Sequence, residues 1–306
     1  MSTLIIHHDD CLAHDTGPRH PECPGRIPAV LDAIKGISNL QYLPAPKAED
    51  IQLLRAHPRE HIDAVHAAEP SQGRSNLTEA DTVMAPGSVA AALRAAGAVC
   101  LAIDEVCSSR VENAFCVVRP PGHHAEAQRA MGFCLFNSVA IGARHAQAEH
   151  GCAKVAILDF DVHHGNGTQA IFEQDPSVLF ISSHQTPLYP GSGEASERGV
   201  GNIINIPLPG GSGSAECQAA WKHIALPAVD GFAPDLIMIS AGFDAHEADP
   251  LAQLEWVPED YAWLTREIRR LARKHCEGRL VSALEGGYDL EALGQCAREH
   301  VAALSD

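Results

Sequence analysis

Short, continuously apolar runs punctuate the chain: "LIIH" (4–7), "FCVV" (115–118), "KVAILDF" (154–160), "VLFISS" (178–183), "LIMISAG" (236–242) and "RLVSALEGG" (279–287). They do not alternate between apolar and polar positions. That is the pattern of parallel strands covered on both faces. Between them lie segments with helical signals. Residues 88–106 are Ala-rich, and Asn137 is an N-cap for a helix running to about 150. Residues 258–276 place Pro in the first turn and space Tyr261, Leu264, Ile268 and Leu271 along one face. The alternation predicts an α/β protein with a mostly parallel sheet and helices on both faces. Turn-rich stretches at 17–26, 69–81, 187–201 and 207–214 read as loops over such a scaffold.

The polar residues are not scattered around these runs; they collect where the runs end. "FCVV" leads to "RPPGHH", "VAILDF" to "DVHHGNG", "VLFISS" to "HQT", "LIMISAG" to "FDAHEADP" and "LVSAL" to "EGGYD". In an open parallel sheet, ligands bind outside the carboxyl ends of the strands. Five predicted strands therefore deliver polar groups to one rim.

The densest cluster is "DFDVHHGNG", which is either a solvated loop or the surround of an ion. On extended backbone, side chains two residues apart point the same way, so Asp161 and His163 can share a cation. Asp244, following the apolar run at 236–242, is the candidate third ligand. An Asp/His/Asp set leaves a coordination position for water, as a catalytic divalent metal requires. His123 and His124 follow a rigid Pro-Pro-Gly turn and can exchange protons near neutral pH. Asp159 and Asn166 flank the ligands and can fix imidazole tautomers. Tyr288, after a double glycine, can donate to an oxyanion opposite the metal. Together these groups specify metal-assisted hydrolysis. No phosphate loop with Lys-Ser/Thr and no GxSxG elbow competes.

Composition narrows the picture. The chain has 306 residues, is 45% hydrophobic and carries a formal net charge of −17, which argues against nucleic-acid or anionic-membrane binding. No stretch reaches the roughly 18 apolar residues of a membrane span, and the N-terminal segment lacks the basic start of a secretion signal. The ten cysteines form no CxxC pair, so they read as reduced thiols of a cytoplasmic protein. No internal repeat or linker divides the chain.

"RHPECPGR", "RPPGHH", "MGFCLFN", "DFDVHHGNGT", "SAGFDAHEADPL" and "EGGYD" resemble, in order, the signature blocks of the histone deacetylase superfamily. The resemblance is closest to the class II and bacterial amidohydrolase branch, which is related to acetylpolyamine amidohydrolases, and it spans nearly the whole chain. It implies a single catalytic domain over 1–306 with an arginase-like fold and an eight-stranded sheet. It also implies one Zn²⁺, or Fe²⁺ in cells, on Asp161, His163 and Asp244. By the same resemblance His124 is the general base and acid, paired with Asn166, and His123 is its electrostatic partner, paired with Asp159. Tyr288 polarises the acyl carbonyl, and Arg26 lies below the metal. Gly132 and Phe133 of "MGFC" match one wall of an apolar tunnel, and Tyr189 matches the other, where Phe is usual. Leu251 of "DPL" stands where the polyamine-selective branch can carry an acid. Structural K⁺ is implied at two places: Asp159, Asp161, His163, Ser182 and Ser183 match one, and Phe172, Asp175 and Val178 match part of the second.

The substrate this implies is an N-acetylated lysine side chain or a related acylated amine, with an acetylpolyamine as the alternative; a homo-oligomer is left open. Two rivals use the same residues. A two-manganese ureohydrolase shares the fold and the Asp-x-His element, but it needs a carboxylate where Asn166 stands. A catalytically silent binding module would keep the fold alone.

Overall fold

The computed structural model describes residues 2–306. Its strands are β1 (Thr3–His7), β2 (Leu40–Pro44), β3 (Ser75–Asn76), β4 (Val83–Met84), β5 (Asn113–Cys116), β6 (Val155–Asp159), β7 (Val178–Gln185), β8 (Ile203–Leu208), β9 (Leu236–Ala241) and β10 (Leu280–Leu284). β3 and β4 form a small antiparallel ribbon. The other eight make one sheet in the order β2-β1-β5-β10-β9-β6-β7-β8, and every pairing in it is parallel.

This order positions the site. The chain winds β1 and β2 out to one edge and returns for β5. It then winds β6, β7 and β8 out to the other edge and closes the centre with β9 and β10. The carboxyl ends of β5, β10, β9 and β6 therefore stand side by side at the point where the winding reverses, the place where such sheets bind ligands.

Every residue of β5, β6, β7, β9 and β10 is buried, which is why these strands read as unbroken apolar runs. Helix Ser88–Cys107 packs on Ser138–His150, and Pro258–His275 packs on Leu290–Ser305, which in turn packs on Arg26–Ala33. Asn137 caps its helix as expected, its Oδ1 accepting from the Ala140 N–H at 2.9 Å.

Several expectations shift. "FCVV" (115–118) overlaps a strand that begins two residues earlier and ends at Cys116; Val117 and Val118 stay buried beyond it. The run at 279–287 ends its strand at Leu284, because Glu285 and the following glycines turn away to build the rim. The expected turn at 207–214 starts late, since β8 continues to Leu208. No helix among the described residues is long and apolar enough to cross a membrane, and all ten cysteines are free.

Candidate active site

β6 and β9 are neighbours, with Asp159 opposite Ser240, so the loops that follow them emerge together. Asp161 and His163 come from one loop and Asp244 from the other. His163 Nδ1 lies 3.1 Å from Asp161 Oδ1 and 3.2 Å from Asp244 Oδ2. One ligand atom from each of the three lies within 4.8 Å of the others, and all three residues are buried. Backbone N–H groups hold both carboxylates: Gly286 donates to Asp161 Oδ2 at 2.8 Å, and Val162 donates to Asp244 Oδ1 at 2.9 Å. Burial opposes charge on His163, yet its hydrogen bonds to the two carboxylates lift its pKa to about 10. Burial and the neighbouring Asp161 raise the carboxyl of Asp244. Such a concentration of negative charge around one imidazole nitrogen fits a divalent cation of the borderline type. The glycines of "SAG" and "EGG" permit the crowding. A Cβ on Gly242 would overlap Asp161 Oδ2, and one on Gly286 would overlap carboxylate oxygens of both Asp161 and Asp244.

The tandem histidines sit beside this cluster, ring centroids 4.0 Å apart. His123 faces carboxylates at both ends: Nδ1 is 3.0 Å from Asp159 Oδ2, and Nε2 is 3.8 Å from Asp161 Oδ2. Burial opposes its protonation, but Asp161 and Asp159 raise its pKa well above the usual value. His124 is pushed the other way, by burial first and then by His123 and His163. Asn166 sets the tautomer. Its Nδ2 donates to Glu126 Oε1 at 3.0 Å, so its Oδ1 must accept from His124 Nδ1–H at 2.8 Å. His124 Nε2 is thereby left with its lone pair. One imidazole is held charged and its neighbour neutral, with a free lone pair.

Gly132 and Phe133 both have left-handed backbone, φ +55° and +69°. A Cβ on Gly132 would strike the His124 ring. A phenylalanine at positive φ is costly, and such strain gathers at functional sites.

Tyr288 closes the other side. Its N–H donates to Asp249 Oδ2 at 2.7 Å, and the guanidinium carbon of Arg26 lies 5.1 Å from its ring centroid. Burial, then Asp244, raises the phenol pKa well above its ordinary value, so the hydroxyl keeps its proton. Arg26 is fully buried behind this loop, where it donates to the carbonyls of Gly287 (2.7 Å) and Glu285 and to Glu22 (3.2 Å). It clamps the "EGGY" turn and does not line the pocket. Glu22 also receives two N–H bonds of 2.7 Å from Arg119. Glu285 Oε2 accepts from the N–H groups of Gly122 (2.6 Å) and His123 (3.1 Å), tying the end of β10 to the histidine turn.

These groups meet at a cavity of about 240 Å³ lined by His124, His163, Tyr288, Gly132, Phe133, Leu188, Tyr189, Leu251 and Asp81. Phe133 meets Tyr288 edge-on at 5.9 Å, and Tyr189 meets His124 edge-on at 5.1 Å. The Tyr189 hydroxyl, where the resemblance has Phe, donates to Glu79 at 2.9 Å; Glu79 pairs with Arg129 at 2.7 Å.

The structure thus brings together His123, His124, Asp159, Asn166, Asp161, His163, Asp244, Tyr288, Gly132, Phe133, Tyr189 and Leu251. Of the residues matched to monovalent cations, Ser182 lies beside Asp159 in the β6–β7 pairing. The Ser182 hydroxyl is 2.9 Å from His184 Nδ1, and the Ser183 hydroxyl accepts from Trp221 at 3.1 Å. Phe172, Asp175 and Val178 stand apart, along the turn from the end of helix Asn166–Phe172 to the start of β7. Sequence reasoning missed Glu22, Arg119, Glu285 and Asp249. All four lie inside quoted motifs ("HPE", "RPPG", "EGG", "EADPL"), and for Glu285 a charged residue at the end of a buried strand was the available signal.

A parallel sheet whose central rim gathers a buried triad that could hold a metal ion, a neutral imidazole and a buried tyrosine has the parts of a hydrolase. The sequence matches the histone deacetylase domain over residues 20–304. It is 40% identical to the histone deacetylase-like amidohydrolase of Pseudomonas aeruginosa, covering 88% of this chain and 71% of that protein. It is equally 40% identical to a probable deacetylase of Archaeoglobus fulgidus, covering 95% and 82%. The solved structure of the HDA15 HD domain superposes with a TM-score of 0.94 at 37% identity, covering 99% of this chain and 88% of that one. The chain belongs to the histone deacetylase family and is a hydrolytic deacetylase.

Proposed function

We propose that the protein is a zinc-dependent amidohydrolase that removes acetyl groups from N-acetylated lysine side chains or related acylated amines. One observation carries this reading: the triad Asp161, His163 and Asp244 lies beside a neutral His124 and a protonated Tyr288 on one narrow apolar pocket. A divalent ion held by the triad supplies Lewis-acid polarisation of the acyl carbonyl and acidifies water. The chain's own residues do the rest. The apolar walls of Phe133, Tyr189 and Leu251 suit the methylene stem of an acylated amine and exclude bulk water. His124 Nε2 takes the proton of the attacking water and returns it to the departing amine nitrogen. His123, held charged between Asp159 and Asp161, keeps His124 from protonating early. The Tyr288 hydroxyl donates to the oxygen that gains charge as the carbonyl becomes tetrahedral.

Asn166 supports a single divalent ion over the two-metal ureohydrolase alternative, because its amide is spent on His124 and Glu126. A structural K⁺ at Asp159, Asp161, His163, Ser182 and Ser183 belongs to the same reading. Leu251 at the pocket favours an acyl-lysine substrate. Asp81, a carboxylate at that same pocket, favours a cationic acetylpolyamine. The ten free thiols support a cytoplasmic setting. The test is kcat/KM of the zinc-loaded protein on acetyl-lysine peptides, acetylspermidine, acetylputrescine and short acetamides. Acetate release from acetyl-lysine or an acetylpolyamine is expected, with acetamides far slower. No acetate from any of them would leave the silent binding module as the better account.

A further inference from the structure

We infer that this chain fills, with its own amide, the position that the resemblance assigns to a second monovalent cation. The residues matched to that position are Phe172, Asp175 and Val178, whose backbone carbonyls line the turn before β7. In the structure all three converge on one atom, Nδ2 of Asn202, at 2.8, 3.0 and 2.8 Å. Convergent carbonyls at close range are how proteins replace the hydration shell of K⁺. Here an N–H donor stands at the point of convergence. Two N–H bonds shared among three carbonyl oxygens satisfy them without an ion.

The amide is built into place. The Asn202 Oδ1 accepts from the Val200 N–H at 3.2 Å, which fixes which end of the amide faces the carbonyls. Asn202 is 5% exposed, and the loop wraps onto it: a Cβ on Gly199 would strike both Asn202 Oδ1 and the Glu173 carbonyl. Gly199 itself has φ +55°, so it answers two demands at once. No carboxylate remains to favour a cation there. The Asp175 side chain accepts from the Ser177 N–H (3.0 Å) and hydroxyl (2.6 Å) and pairs with Arg144. The turn between helix Asn166–Phe172 and β7 is therefore closed by a side chain, and its stability does not draw on K⁺.

Asn202→Ala reverses the arrangement. It leaves three carbonyls facing a space with no donor, which a monovalent cation can enter. Crystals of the wild-type protein and of N202A are grown in a thallium or rubidium salt and examined for anomalous scattering. The expected result is no peak among the carbonyls of residues 172, 175 and 178 in the wild type, and a peak there in N202A. In choline chloride, the Tm of N202A should fall about 5 °C below the wild type, and KCl should restore most of that difference. A wild-type anomalous peak at the centre of the three carbonyls, with the Asn202 amide turned away, overturns the inference. So does an N202A variant whose Tm deficit is the same in choline and potassium. Should N202A fail to fold in either salt, the wild-type scattering decides alone.

Discussion

Tyr288→Phe isolates the oxyanion donor from everything else at the site. The ring is held from three directions that do not use its hydroxyl. Arg26 lies 5.1 Å from the centroid, Phe133 meets it edge-on at 5.9 Å, and Asp249 holds its backbone N–H at 2.7 Å. A phenylalanine ring therefore takes the same seat, and folding stability should move by less than about 0.5 kcal/mol. The carboxylates of the triad are tethered by the N–H groups of Gly286 and Val162, so metal content should not change. What is lost is one donor in a site poor in water, an effect of about 10² to 10³ in kcat, or roughly 3–4 kcal/mol of barrier. The assay is steady-state acetate release from an acetyl-lysine peptide, with metal content and Tm measured on the same preparation. A variant that retains its metal and its fold but works within fivefold of wild type would remove Tyr288 from the reaction.

Other perturbations probe the supports. Asp249→Ala should lower kcat about ten- to hundredfold with little change in KM, because the donor is left a fraction of an ångström loose, and Asp249→Asn should recover part of it; unchanged kcat in both would leave Asp249 a spectator. Gly286→Ala should abolish activity together with divalent-metal retention, since its methyl would displace both carboxylates; full zinc content in that variant would contradict the crowding described here. Burial lowers the pKa of His300 to about 3. The folded protein therefore declines a proton that the unfolded chain accepts below about pH 6.5, and stability is lost as pH falls from there towards 3. At pH 5 the loss from this group is about 2 kcal/mol, so denaturant titrations of wild type and His300→Gln should diverge by that amount between pH 8 and pH 5. Parallel pH profiles would show that His300 is not held neutral.

The central strands were legible because both their faces are covered, so β6, β9, β10 and the first half of β7 carry apolar side chains at most positions. The edges were not. β2 is largely exposed, with Tyr42 at 48%, and it ends in a proline, so it carries no apolar signature. In β8, Asn205 and Pro207 interrupt the run, and its last two residues fall within the stretch that reads as a turn. The triad and histidine pair were legible because charge and imidazole at strand ends are costly without a purpose. Their supports were harder to see. Glu285 matters for two backbone bonds to residues 122 and 123, and no spacing in the chain announces a contact across more than 160 positions. Arg26, expected below the metal, also clamps the turn behind Tyr288, a role set by the packing of helix Arg26–Ala33 against Leu290–Ser305 and not announced by its motif.

The most direct trial of the whole account is a zinc-edge anomalous map of the reconstituted protein, paired with metal analysis of the same sample. The account predicts one zinc per chain, at about 2.0–2.2 Å from His163 Nδ1 and from one oxygen each of Asp161 and Asp244. Two tightly held ions per chain, or an ion that none of these three residues touches, would contradict it.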